Sequence, residues 1–111
     1  MGIEALWSLE FESTNESYGA GVVVFETEKI FGGDSLYYYL GNYKTSNGIL
    51  EAEIEVTHYF GSKSSIFGEL DKFKIKLTGK FKENLFYADG YLVDDKDKKV
   101  KVKLTKQANL P

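Results

Sequence analysis

Apolar and polar residues alternate with a period of two along nearly the whole chain, and no stretch of helical length fits an i, i+3, i+4 spacing better. The alternation predicts eight strands, at residues 4–13, 17–26, 29–32, 35–45, 49–60, 69–81, 84–94 and 99–106. Short polar connections at 14–16, 27–28, 47–48, 82–83 and 95–98 separate them, and only the segment 61–68 is longer, with room for a helical turn. Eight short strands joined in this way predict an all-β, eight-stranded antiparallel up-and-down sheet. Closing it into a barrel removes two edges that a domain of this size has no other element to cover.

The sharpest local signal is Asn47-Gly48, because both central residues of a type I′ hairpin need positive φ and this pair tolerates it. A two-residue turn there sets Ser46 opposite Ile49. It then turns Tyr37, Tyr39, Gly41 and Tyr43 inward with Ala52, Ile54, Val56 and His58. A three-residue turn with a bulge would instead bury Asn42 and Lys44 and is disfavoured for that reason. In the sixth strand Phe73, Ile75, Leu77 and Gly79 share one face and Lys72, Lys74, Lys76 and Lys80 the other. Glu51, Glu53 and Glu55 occupy the outer face of the preceding strand, so folding back through 61–68 should set them beside Lys72, Lys74 and Lys76 on the outer wall.

That arrangement also accounts for an uneven charge distribution. Residues 1–55 carry ten acids and two lysines, whereas residues 56–111 carry twelve lysines and seven acids. The 111-residue chain is one domain by length, with enough apolar surface for a core. It has no cysteine and a single histidine, His58, which excludes disulfides, Cys-type zinc sites and thiol chemistry, and leaves the usual zinc ligand sets and nucleophile-base pairs incomplete. All 14 basic residues are lysine, so the bidentate guanidinium reader of guanine and phosphate is missing and no nucleic-acid partner is expected. The first eleven residues include Glu4 and Glu10 and lack a long apolar core, so they do not read as a signal peptide. Met1-Gly2 is followed by Leu6 where a myristoylation signal wants Ser or Thr. A cytoplasmic protein without membrane attachment, metal or cofactor is the expectation.

Several residues stand out as candidate sites. Trp7, Tyr37, Tyr39, Tyr43 and His58 are the inward-facing rings that would line a cavity for a small apolar ligand if the barrel holds one. The number of inward aliphatic and aromatic side chains instead favours a filled interior. His58 is expected across from Tyr37 as a rim histidine hydrogen-bonded to a phenol or a carbonyl, and a dyad with Asp34 would have no nucleophile to activate. Gly32-Gly33-Asp34-Ser35 reads as a strand-to-strand corner, since no helix follows to receive an anion. Gly19 and Gly21 mark bending of the wall or a close approach. Val22-Val23-Val24-Phe25 is apolar on both faces. With Glu26 opposite Lys29, Val22, Val24 and Phe31 form an outer apolar patch expected to be a dimer or partner interface.

The stretches Gly19-Ala20-Gly21-Val22-Val23-Val24, Gly32-Gly33-Asp34-Ser35 with Tyr37-Tyr38-Tyr39 and Gly41, and Val56-Thr57-His58-Tyr59 with Phe67-Gly68 resemble the GrlR-like proteins, small bacterial β-barrels of calycin or lipocalin type. The likeness extends to Leu6-Trp7-Ser8-Leu9-Glu10-Phe11 and Leu104-Thr105-Lys106. It implies a cytoplasmic homodimer that regulates transcription by binding an activator protein, as the founding member does in a type III secretion programme. The acidic surface loop tied to that interaction corresponds to Thr45-Ser46-Asn47-Gly48, which is neutral, so no residue here takes its role. The leading expectation is a noncatalytic regulator acting by protein contact. The alternative is a lipocalin-like barrel that binds a small apolar molecule.

Overall fold

In the computed structural model, which describes residues 3–14 and 17–111, the period-two pattern becomes eight strands. They are β1 (Ala5–Ser13), β2 (Tyr18–Glu26), β3 (Lys29–Gly33), β4 (Tyr37–Ser46), β5 (Ile49–His58), β6 (Lys72–Lys80), β7 (Leu85–Leu92) and β8 (Asp95–Asn109). Each pairs antiparallel with its neighbour in sequence, and β8 returns to β1 to close the barrel. The seam runs from Ala5 opposite Asn109 to Ser13 opposite Val100, with a bulge between Leu6 and Trp7. Gln107 Nε2 donates to Ser8 Oγ across it, at 2.9 Å. The Met1-Gly2 terminus and the Asn15-Glu16 part of the first predicted turn lie outside the described residues.

The β4–β5 register is the one set by a two-residue turn, with Ser46 opposite Ile49 and Tyr37 opposite His58. Asn47 and Gly48 adopt φ of 55° and 78°. On the outer wall Glu53 faces Lys76 and Glu55 faces Lys74, whereas Glu51 faces Thr78 on one side and Lys44 on the other. These pairs neighbour one another in register without closing into ion pairs. Among the described residues the one contact under 4.0 Å between opposite charges is Lys63 Nζ to Asp71 Oδ1, at 2.9 Å.

Two expectations of local structure need correction. The segment 61–68 holds no helical turn. Its Ser65 and Gly68 bond each other's backbone at 3.0 and 3.1 Å, and Ser65 Oγ donates to the Gly68 carbonyl at 2.7 Å. The last hairpin turns at Val93-Asp94, not at 95–98, because Leu92 pairs with Asp95 and the surplus residues are absorbed in a bulge beside Tyr91. Polar residues 95–98 resemble a turn in sequence, yet a strand whose outer face is solvated accepts them.

The interior divides into two halves. At one end Trp7, fully buried, stands edge-on to Phe86 at 5.2 Å and near Phe81 at 6.2 Å and Phe25 at 6.3 Å, while Phe25 and Tyr43 are 5.1 Å apart. Tilted and edge-to-face rings at these separations are the favoured aromatic geometries, and the cluster fills that end of the barrel. The other end is lined by aliphatic side chains together with Phe11, Tyr37, Tyr39, Phe67 and Phe73.

Candidate functional site

Beyond the aromatic plug lies a cavity of about 460 Å³, within the range of pockets that hold small molecules. Its walls are Leu9, Ile54, Val56, Leu77, Val100 and Val102, with Phe11, Phe73 and Ile75 nearer the opening. The 61–71 connection crosses this end: Ile66 and Phe67 point into the cavity, and the Phe67 ring stands edge-on to Phe73 at 5.6 Å. Hydroxyls gather at the mouth, from Ser17, Ser35, Ser64 and Ser65. The expectation of a filled interior is thus corrected. Inward-facing side chains do not fill the interior evenly: the rings about Trp7 pack one end, while Gly19, in the cavity lining opposite Phe11, adds no side chain to the other.

Among the described residues Asp34 is the one charged side chain in the cavity lining. It sits at the β3–β4 corner, where its Oδ1 accepts from the backbone N–H groups of Leu36 and Tyr37, both at 2.8 Å. This is the local bonding that makes Asp a corner residue. Oδ2 accepts from the Tyr39 hydroxyl at 2.5 Å, and the Asp34 carbonyl accepts from the Tyr59 hydroxyl at 2.8 Å. Tyr39 reaches this corner by passing over Gly21, where a Cβ would come within 2.8 Å of the phenol oxygen. Burial raises the Tyr39 pKa well above its ordinary value, and the Asp34 carboxylate adds to the effect by accepting the proton-bearing hydroxyl and by its charge.

The structure separates the candidate cavity residues into two groups. Tyr37 and Tyr39 line the cavity. Trp7 and Tyr43 belong to the aromatic plug, where Trp7 Nε1 donates to the Ile3 carbonyl at 2.9 Å, so neither faces the open volume. His58 lies outside the lining. It is half-buried at the rim, its Nε2 bonded to the Gly61 carbonyl at 2.8 Å and its ring edge-on to Tyr37 at 5.4 Å. The Tyr37 phenol turns away from the imidazole and donates to the Leu70 carbonyl at 2.6 Å. A carbonyl therefore partners each ring, and with His58 on Gly61 and the Asp34 carboxylate on Leu36, Tyr37 and Tyr39, the two do not form a dyad. Among the described residues no three His, Asp or Glu side chains converge to hold a metal ion.

Val22, Val24 and Phe31 lie on the outer wall. Val24 faces Leu6 on one side and Phe31 on the other, and Phe31 faces Leu40. The row thus crosses four strands, and Val22, Phe31 and Leu40 each leave more than 40% of their surface exposed. A groove beside it is bordered by Asn42, Glu53, Glu55 and Lys74. Sequence reasoning missed Leu6 and Leu40, since membership in the row depends on the register of β1 and β4 against their neighbours. Asp34 reads in sequence as a corner residue and as a possible dyad partner of His58, not as part of a cavity mouth. The Asx pattern after Gly32-Gly33 was the available signal, but nothing local places it at a cavity mouth.

No protein-family model and no curated protein matches the chain. Among solved structures it is similar to one described as a redesigned beta barrel, with a TM-score of 0.51, 13% identity, and coverage of 95% of this chain and 91% of that one. At that identity the likeness concerns the barrel fold alone.

Proposed function

We propose that the protein is a noncatalytic, lipocalin-like binding barrel that holds a small, largely apolar molecule in the cavity between the aromatic plug and the 61–71 connection. The carrying observation is the cavity itself: about 460 Å³, walled by aliphatic side chains and rimmed by hydroxyls and one carboxylate. Apolar walls with a few placed polar groups are what ligand pockets commonly present. Ile75 supports the reading. It is an inward residue of β6, opposite Ile54, yet it keeps partial exposure because it faces open volume. The outward lysines and glutamates of β5, β6 and β8 support an aqueous setting, since a lipid-embedded barrel turns an apolar band outward. Titration with the uncharged dye N-phenyl-1-naphthylamine should give saturable fluorescence enhancement in the native protein. Ile75→Trp, which places an indole in the open volume, should abolish the enhancement while far-ultraviolet circular dichroism is retained. Equal enhancement in both proteins would refute the cavity as the site.

A second reading is favoured by the outer apolar row. The resemblance to GrlR-like proteins and the run Leu6, Val24, Phe31, Leu40 support a homodimer or a regulator that contacts a transcriptional activator through this face. Contiguous exposed apolar surface on a small domain is characteristic of interaction sites. The two readings use opposite sides of the wall and are compatible in one molecule.

A further inference from the structure

Building on the cavity reading, we propose that the ligand is an amphiphilic amine, whose apolar body fills the barrel and whose ammonium group rests at the Asp34 corner. The Asp34 carboxylate is half-buried, and its three donors, two backbone N–H groups and the Tyr39 hydroxyl, are all neutral. A carboxylate offers about four lone-pair sites, so one acceptor direction stays open to a donor arriving through the cavity. Among the described residues of the lining no cation neutralises the charge.

The surroundings of the mouth reinforce the preference. Lys63, on the 61–71 connection, is paired with Asp71 at 2.9 Å. Glu12 lies near Tyr18, which also lines the mouth, and Glu69 lies near Lys63. His58 is on the rim, engaged with the Gly61 carbonyl. A fatty acid bound in this orientation would bring its carboxylate against Asp34, with no lysine among the described lining residues to receive it. An alcohol would find the same acceptor without the charge complementarity, and an ammonium would find both.

The test uses displacement of N-phenyl-1-naphthylamine by decylamine, decanol and decanoate at pH 7 and low salt. Decylamine is expected to compete at least tenfold better than decanoate, with decanol between them. Asp34→Asn, which keeps a carbonyl oxygen for the Leu36 and Tyr37 amides, should bring the three within a factor of about three of one another. Tyr39→Phe, which withdraws the neutral donor from Oδ2, should preserve or widen the preference for the amine and keeps the proposal testable if the Asn variant does not fold. Decanoate competing as well as decylamine in the native protein, or an amine preference that survives in Asp34→Asn, would overturn the head-group assignment while leaving the cavity reading intact. Failure of the dye itself to bind would count against the cavity reading instead.

Discussion

Tyr39 illustrates how one side chain ties the wall of the barrel to its mouth. Its ring is buried, its hydroxyl bonds Asp34, and its path depends on the missing side chain at Gly21. Removing the hydroxyl in Tyr39→Phe should cost about 1–2 kcal/mol in urea unfolding at neutral pH, since a hydrogen bond to a charged acceptor is lost. The phenol also imposes a pH dependence. Its pKa is higher folded than unfolded, so near pH 7 both states are protonated and its stabilisation is fully present. Above the ordinary phenol value of 10.0 the unfolded chain releases a proton that the folded one retains, and stability falls as pH rises. Native protein should therefore lose stability between pH 9 and about pH 11 more steeply than Tyr39→Phe, as read from urea midpoints at each pH. His58 is less demanding. Because it is half-buried and bonds a carbonyl that water could reach, His58→Phe should cost no more than about 1 kcal/mol and leave dye uptake intact.

Turns and strand pairs show where elements are well and poorly supported by their residues. Asn47-Gly48 and Thr27-Glu28 both close two-residue hairpins with positive φ, yet only the first uses residues suited to it. Thr27 and Glu28 hold φ of 52° and 64°, a conformation that costs ordinary L-residues roughly 1–2 kcal/mol each. The surroundings keep the turn in place: the Thr27 N–H donates to the Glu4 carboxylate at 2.8 Å and the Glu28 carbonyl accepts from the Tyr43 N–H at 3.1 Å. Both bonds use backbone groups of the turn, so the double substitution Thr27→Asn, Glu28→Gly retains them. It should raise stability by about 1 kcal/mol or more, seen as a higher urea midpoint with an unchanged slope. On the outer wall Glu53→Lys would face Lys76 and should cost within about 0.2–1 kcal/mol, less in high salt, because these exposed pairs interact through a well-solvated gap.

For the whole molecule, closure removes the strand edges and leaves an apolar row on the outer wall. Closure joins β1 to β8 and leaves no free edge, so an interface on the strands would use the wall, where Val24, Phe31 and Leu40 are aligned. Burying a Val, Leu or Phe side chain contributes roughly 1.5–3 kcal/mol, and a two-fold contact uses each twice. Light scattering on the native protein at micromolar concentration should give the dimer mass, and Val24→Glu should give the monomer with its dye uptake unchanged. A native protein that is monomeric under those conditions would remove the homodimer from consideration and leave the cavity reading untouched.

The alternation of residue types settled much of this protein by itself. Strand identities, inward faces, the β4–β5 register, the adjacency of Glu53 to the lysines of β6 and the outward placement of Val24 and Phe31 all follow from period-two burial and from the Asn47-Gly48 turn. Each depends on contacts between neighbours in the chain, which a local pattern encodes. Tertiary structure decided the rest. The inward positions of Trp7 and Tyr39 look equivalent in sequence, yet one is packed by Phe25, Phe81 and Phe86 while the other borders a cavity. The difference arises from which residues the closed wall brings across the interior: rings packed on Trp7 at one end, and at the other aliphatic side chains together with rings that border open volume. Volume is a property of all eight strands together, so no single strand could report it. Likewise Asp34 is a corner residue by its local bonds and comes to line a cavity only because barrel closure and the 61–71 connection set one beside it.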